Sequence, residues 1–196
     1  MFGEDFIERH APALFKPLNL GFNVATVAMA RAVLPRGWRV EDCYLSAPSN
    51  LPELNRAMRE EGMVVWSGGS DETIYADKEV NYAARAWHDA VHWHHQLPFT
   101  VAGEAATAYV KIAQLLNRYG HDDEVEEFAA LILTEVIGQQ IYSIQHGDFP
   151  DDQRTFTEWN LDCWRGLAGR VCIALGDEPL DRYALDLAGI HFGKPA

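Results

Sequence analysis

From Ala76 to Leu175 the chain carries only two prolines, Pro98 and Pro150, and each falls where a helical apolar pattern breaks. Proline inside a helix removes a backbone hydrogen bond and clashes with the preceding turn. A long stretch with prolines only at its joints is therefore free to be helical between them. The spacing predicts four helices. The first runs from about Asp77 to Gln96 and is stopped by Pro98; the second runs from about Val101 to Arg118, with Gly120 as its C-terminal signal. The third starts near Asp122, where "HDDEVEE" sets acids at the positive end of the helix dipole, and continues to about His146. Its apolar residues Val125, Phe128, Ile132, Val136 and Ile137 recur at helical spacing. The fourth runs from about Asp151 to Leu175 and ends at Gly176. The expected fold class is all-α: an antiparallel bundle of about four core helices with an irregular N-terminal segment, residues 1–70, packed on it, all within one domain spanning 1–196. Within that segment two short helices are expected near Val24–Val33 and Leu51–Glu61, and "MVVW" (Met63–Trp66) reads as a short strand ended by "SGGS".

Composition narrows the partners. A chain of 196 residues can bury enough apolar surface to fold without disulfides or a structural metal. A net charge of −13 argues against nucleic acid and against an anionic membrane surface, since both are recognised mainly through Lys and Arg. The cysteines Cys43, Cys163 and Cys172 never form a CxxC pair and read as reduced packing residues in a cytoplasmic protein. The opening "MFGEDFIERH" is acidic and lacks the pattern of a signal peptide. Apolar runs such as "ATVAMA" and "AALIL" fall short of the ~20 residues of a membrane span.

The first core helix ends in "WHDAVHWHH". On a helix, residues three, four and seven apart share a face, so His88, His92 and His95 form one stripe, while His94 points away. His88 and His92 make an HxxxH pair whose imidazole nitrogens can converge on one cation. Asp89 lies one step round from His88, near the edge of the stripe. A third ligand must come from elsewhere. The turn "QLPFT" reverses the chain and brings Glu104, in the first turn of the next helix, beside the histidines. Ala102, Gly103, Ala105 and Ala106 leave room for close approach around it, and a metal would remove the cost of burying a lone carboxylate there. The competing explanation is a solvated helix face, or rings packed beside Trp87 and Trp93.

His88-Asp89-x-x-His92 followed by eleven residues and Glu104 spells HDxxHx11E, and "GEAATAYVKIAQ" continues from it. This run resembles the metal-ligand motif of the coenzyme Q biosynthesis protein 4 family and covers about residues 85–115. The resemblance implies an all-helical fold, a bound divalent metal, a pocket for an isoprenoid tail, and oxidative decarboxylation at C1 of a prenylated quinone precursor. Carried over by position, it implies His88, Asp89, His92 and Glu104 as ligands. The stretch "VVWSGGSDETIYADKEVNYAARAW" does not resemble the family's approach to that motif.

The third helix carries a second polar stripe: Glu135, Gln139, Tyr142 and His146, spaced four, three and four apart. Glu135 sits inside "ALILTEVIG" and is expected to face the bundle centre as a further ligand, a partner holding an imidazole, or a general base with a raised pKa. With His95, Gln139 and Tyr142 it completes the supporting candidates; His146 reads as a helix-end residue. The Glu-x-x-His signature of di-iron bundles is missing. "SGGSDETIY" is a turn or an anion nest, the turn being favoured.

The expectation is a metal-dependent enzyme with one divalent ion (Zn, Fe, Mn, Co or Mg) acting on a small-molecule or prenylated ligand. An HD-type phosphohydrolase is the first alternative; the sole upstream histidine is His10, which counts against it. A non-catalytic metal-stabilised scaffold or lipid-binding protein is the second, with Trp38, Trp66, Trp159 and Trp164 as interface anchors. A homo-oligomer is compatible with all three.

Overall fold

Side chains that accept from exposed helical N–H groups mark where most of the helices begin. Asn19, Asn50, Asp77, Thr100 and Asp122 each cap a helix in this way. The computed structural model describes residues 16–176. In chain order they form α1 (Leu20–Val33), β1 (Arg39–Glu41), a 3-10 turn (Tyr44–Ser46), α2 (Leu51–Glu60), β2 (Val64–Trp66), α3 (Lys78–His95), α4 (Val101–Tyr119), α5 (Asp123–Ile132), a π-helical segment (Leu133–Gly138), α6 (Gln139–His146) and α7 (Gln153–Gly176). His10 lies outside the described residues.

The protein is an all-α bundle. α5 packs along α7 and α1 along α3, while α4 touches α1, α3, α5, α7 and the π-segment. The main core gathers Phe22, Met29, Trp87, Ile112, Leu115, Phe128, Leu131 and Leu175 from these helices. A smaller core of Leu34, Leu54, Met63, Val65, Tyr82 and Ala90 joins α2 and β2 to the outer side of α3. α1 starts four residues earlier than its apolar run suggests, because Asn19 accepts from the Phe22 N–H at 2.9 Å and fixes the first turn there.

Two features differ from the sequence-based expectation. The strand at Val64–Trp66 has a parallel partner, β1, with Arg39, Val40 and Glu41 opposite Val64, Val65 and Trp66. Three residues are too few to give a periodic signal. The predicted third helix is continuous in path but not in hydrogen bonding, since Leu133–Gly138 is wound as a π-helix between α5 and α6. Here the Thr134 hydroxyl donates to the Ala130 carbonyl at 2.8 Å, a local bond that competes with the regular ladder. The widened turn inserts a residue and rotates everything downstream by about 100° relative to a plain α-helix.

Of the cysteines, Cys172 is buried as expected, whereas Cys43 and Cys163 are exposed and do not pack. Among the described residues, no helix is long and apolar enough to cross a membrane.

Candidate metal centre

The site is built on the reversal between α3 and α4. α3 ends at Gln96, which takes a left-handed conformation with φ of 53°. That turn swings Leu97 back over the last helical turn. The Leu97 N–H donates to the His92 carbonyl at 2.9 Å, and His92 Nδ1 donates to the Leu97 carbonyl at 3.0 Å. The clasp fixes the His92 tautomer: with Nδ1–H committed to a carbonyl, Nε2 carries a lone pair. Phe99 holds the ring edge-on at 4.4 Å, and His92 is fully buried.

α4 begins one step later. Thr100 caps it by accepting from the Gly103 N–H at 3.3 Å. A Cβ on Gly103 would lie 1.8 Å from the Pro98 carbonyl oxygen, so only glycine lets the turn close this tightly. The small residues around Glu104 thus serve the Pro98 turn as well as helix approach. Closure places the Glu104 carboxylate between the two imidazoles: Oε2 is 3.2 Å from His88 Nε2 and Oε1 is 3.4 Å from His92 Nε2. The two Nε2 atoms are 3.0 Å apart. The Thr107 hydroxyl, one turn along α4, lies 3.2 Å from His92 Nε2.

Ligand atoms bonded at about 2.0–2.2 Å to one cation, at angles between 90° and 110°, sit roughly 2.8–3.6 Å apart. The 3.0 Å between the two nitrogens falls in that range, as do the 3.2 and 3.4 Å from each nitrogen to its nearer oxygen of the Glu104 carboxylate. In the neutral ring His92 Nε2 is an acceptor, so it and the Glu104 oxygen 3.4 Å away are two acceptors that a cation would bring together. His88, His92 and Glu104 form a cluster that could hold a metal ion, with all three ligand atoms within 4.8 Å of one another.

Electrostatics agree with this arrangement. Burial pushes His88 down to about 4, against the pull of Glu104, leaving a neutral imidazole at neutral pH. Burial would raise Glu104, but His88 and His92 together outweigh it and hold the carboxylate well below its usual range. A neutral imidazole at His88 and an ionised carboxylate at Glu104 are the protonation states that bind metal.

Asp89 is not part of the cluster. It stands beside it in the wall of a cavity of about 1160 Å³ that His88 also lines. Burial pushes its carboxyl up to about 7, against His92, Arg85 and Lys111. Glu135 is likewise outside the cluster and lines the same cavity from the π-segment. Its Oε1 accepts from Gln139 Nε2 at 2.8 Å and from the Thr157 hydroxyl at 2.7 Å. Burial pushes it up to about 7. Gln139 is buried in this contact. Tyr142 lies elsewhere: it lines a second cavity of about 560 Å³, between α6 and α7, and packs on His146 at 4.2 Å and Phe156 at 5.4 Å. The π-segment explains the departure, because its inserted residue turns Tyr142 off the Glu135 face. His95 is half-buried and outside the cluster, and His94 is exposed.

No family model, curated protein or solved structure matches this chain.

Three residues beyond the expected set stand out, two in the cavity wall and one against the cluster. Arg85 donates to the carbonyls of Trp66 at 2.6 Å, Gly68 at 2.7 Å and Gly69 at 3.1 Å, pinning the Ser67–Tyr75 loop to α3. That loop is therefore a clamped turn whose carbonyls face a cation. Thr107 abuts His92, and Lys111 lines the cavity while almost wholly buried. Spacing could have found both: Glu104, Thr107 and Lys111 stand three and four apart on one face of α4, and Lys111 is a lone cation in an apolar run.

Proposed function

We propose that this chain is a metal-dependent enzyme that holds one divalent ion between His88 Nε2, His92 Nε2 and Glu104 and works on a small molecule in the adjoining cavity. The observation that carries the reading is the convergence of His88 Nε2, His92 Nε2 and a Glu104 carboxylate oxygen within 4.8 Å of one another, with the Nδ1–H of His92 committed to the Leu97 carbonyl. When bound, such an ion supplies Lewis acidity and polarises an oxygen of the ligand. His88 forms the boundary between cluster and cavity. Asp89 and Glu135, both raised to about 7, are placed to accept or donate a proton at neutral pH.

The motif resemblance extends this to a prenylated quinone precursor and decarboxylation at C1. Val64, Trp66, Val136 and Phe149 give the cavity an apolar and aromatic outer wall that suits a hydrophobic tail. The phosphohydrolase alternative has less support, because the cluster takes its carboxylate from Glu104 and not from Asp89. A closed structural site also has less support, because a cavity reaches His88.

Metal content of untagged protein, measured by mass spectrometry beside His92→Ala and Glu104→Ala, tests the reading. About one equivalent of a transition metal in the wild type, lost in both variants, is expected. A metal-free wild type whose thermal stability ignores added zinc or iron would refute it. Cobalt-substituted protein separates enzyme from scaffold: its visible spectrum should shift with added azide if a coordination position is open, and stay unchanged if the sphere is closed.

A further inference from the structure

Lys111 has no role in the centre described above, yet it is only 4% exposed. Its stem crosses α3, and Nζ lies 4.4 Å from the centroid of the Trp87 ring. Trp87 is itself fixed, because its Nε1–H donates to Gln114 Oε1 at 2.7 Å. An ammonium has three donors. Among the described residues its direct contact is the Trp87 face, and no carboxylate lies within ion-pair distance; Asp89, Glu104 and Glu135 act on Lys111 only at longer range. The ammonium opens onto the cavity, so its donors are available to whatever enters. The Lys111 side chain belongs to the wall of the 1160 Å³ cavity, which Asp89 and Glu135 also line. Arg85, the other cation of that wall, is occupied by three carbonyls.

We propose that Lys111 anchors the anionic end of the ligand, and that this end is a single carboxylate on a small molecule whose body lies toward Trp66 and Phe149. A carboxylate supplies both the opposite charge and the acceptors that the ammonium lacks. A phosphate fits less well, since one lysine offers few donors for it. The outer rim also bears the exposed carboxylates Asp71, Glu72, Asp148 and Asp151, which disfavour entry of a polyanion. The inference deepens the metal-enzyme reading, on which it rests.

Benzoate, its neutral isostere benzamide and inorganic phosphate are the probes, titrated into zinc-loaded wild type and Lys111→Met. The readout is the tryptophan indole NMR signals, with Trp87 as the reporter beside Nζ. Zinc content is measured first in both proteins. Lys111→Met keeps the apolar stem against Trp87 and removes the charge. The expected result is that benzoate binds the wild type about tenfold or more tightly than benzamide or phosphate, and that the preference disappears in Lys111→Met at equal zinc content. Equal binding of benzoate and benzamide by the wild type would overturn the proposal, as would a variant that binds benzoate like the wild type. Should Lys111→Met not fold, the wild-type preference decides. Failure to take up zinc would refute the metal reading separately, and the benzoate-to-benzamide ratio in the metal-free protein then decides for Lys111.

Discussion

Glu104 and Glu135 are both partly buried carboxylates, on segments of the bundle that pack against each other, yet they are held in opposite states. Glu104 faces two imidazoles and stays ionised; Glu135 faces an amide and a hydroxyl and is raised to about 7. Burial alone would raise both. The partners decide the outcome: the two imidazoles at 3.2 and 3.4 Å outweigh burial at Glu104, whereas the amide and hydroxyl donors at Glu135 do not. One carboxylate is thereby suited to hold a cation and the other to exchange a proton.

The largest expected effect lies on the Glu104 side. Glu104→Ala removes the anionic ligand and leaves two neutral imidazoles. Zinc affinity, measured by competition with a chromophoric chelator, should fall by about a hundredfold or more, while Glu135→Gln should change it little. Comparable losses in both variants would mean that the two carboxylates share one site.

Next comes the turn that delivers Glu104. Gly103→Ala places a methyl group against the Pro98 carbonyl. It should cost about 1–3 kcal/mol of stability in urea unfolding and weaken zinc binding by displacing the carboxylate. Unchanged zinc affinity would show that the site tolerates a shifted α4.

Glu135 gives a third test through pH. The unfolded carboxyl releases its proton near 4.5, whereas the folded one keeps it to about 7. The contribution of Glu135 to stability is therefore fully present below about pH 4.5 and is lost as pH rises through 7. Metal-free Glu135→Gln should match the wild type at pH 4.5 and exceed it by about 1–3 kcal/mol at pH 8. Equal stability at both pH values would mean that Glu135 is ionised like Glu104.

The smallest effect is expected at Tyr142. Tyr142→Phe keeps the contacts with His146 and Phe156 and should leave zinc affinity unchanged and stability within about 0.5 kcal/mol. A measurable loss of zinc would put Tyr142 on the Glu135 face after all.

The contrast also shows what the sequence made legible. His88, His92 and Glu104 could be brought together from helical spacing and one proline-stopped turn, because both are local rules. The helical bundle followed from the same proline placement. Asp89 could not be separated from the three clustered residues by spacing: one step round the helix leaves it beside them, in the cavity wall. The π-segment has no residue signature, so Tyr142 stayed grouped with Glu135 although an inserted residue turns it away. Lys111 shares the Glu104–Thr107 face by spacing, but a single lysine in "TAYVKIAQ" is easily passed over as solvated, and the packing of α4 against Trp87 reveals its burial.

The central claim is that His88, His92 and Glu104 bind one ion together. X-ray absorption spectroscopy of zinc-loaded protein tests it most directly. Two imidazole scattering patterns with the remaining ligands oxygen are predicted, falling to one imidazole in His88→Ala. A sulfur ligand, or a wild type with fewer than two imidazoles, would contradict it.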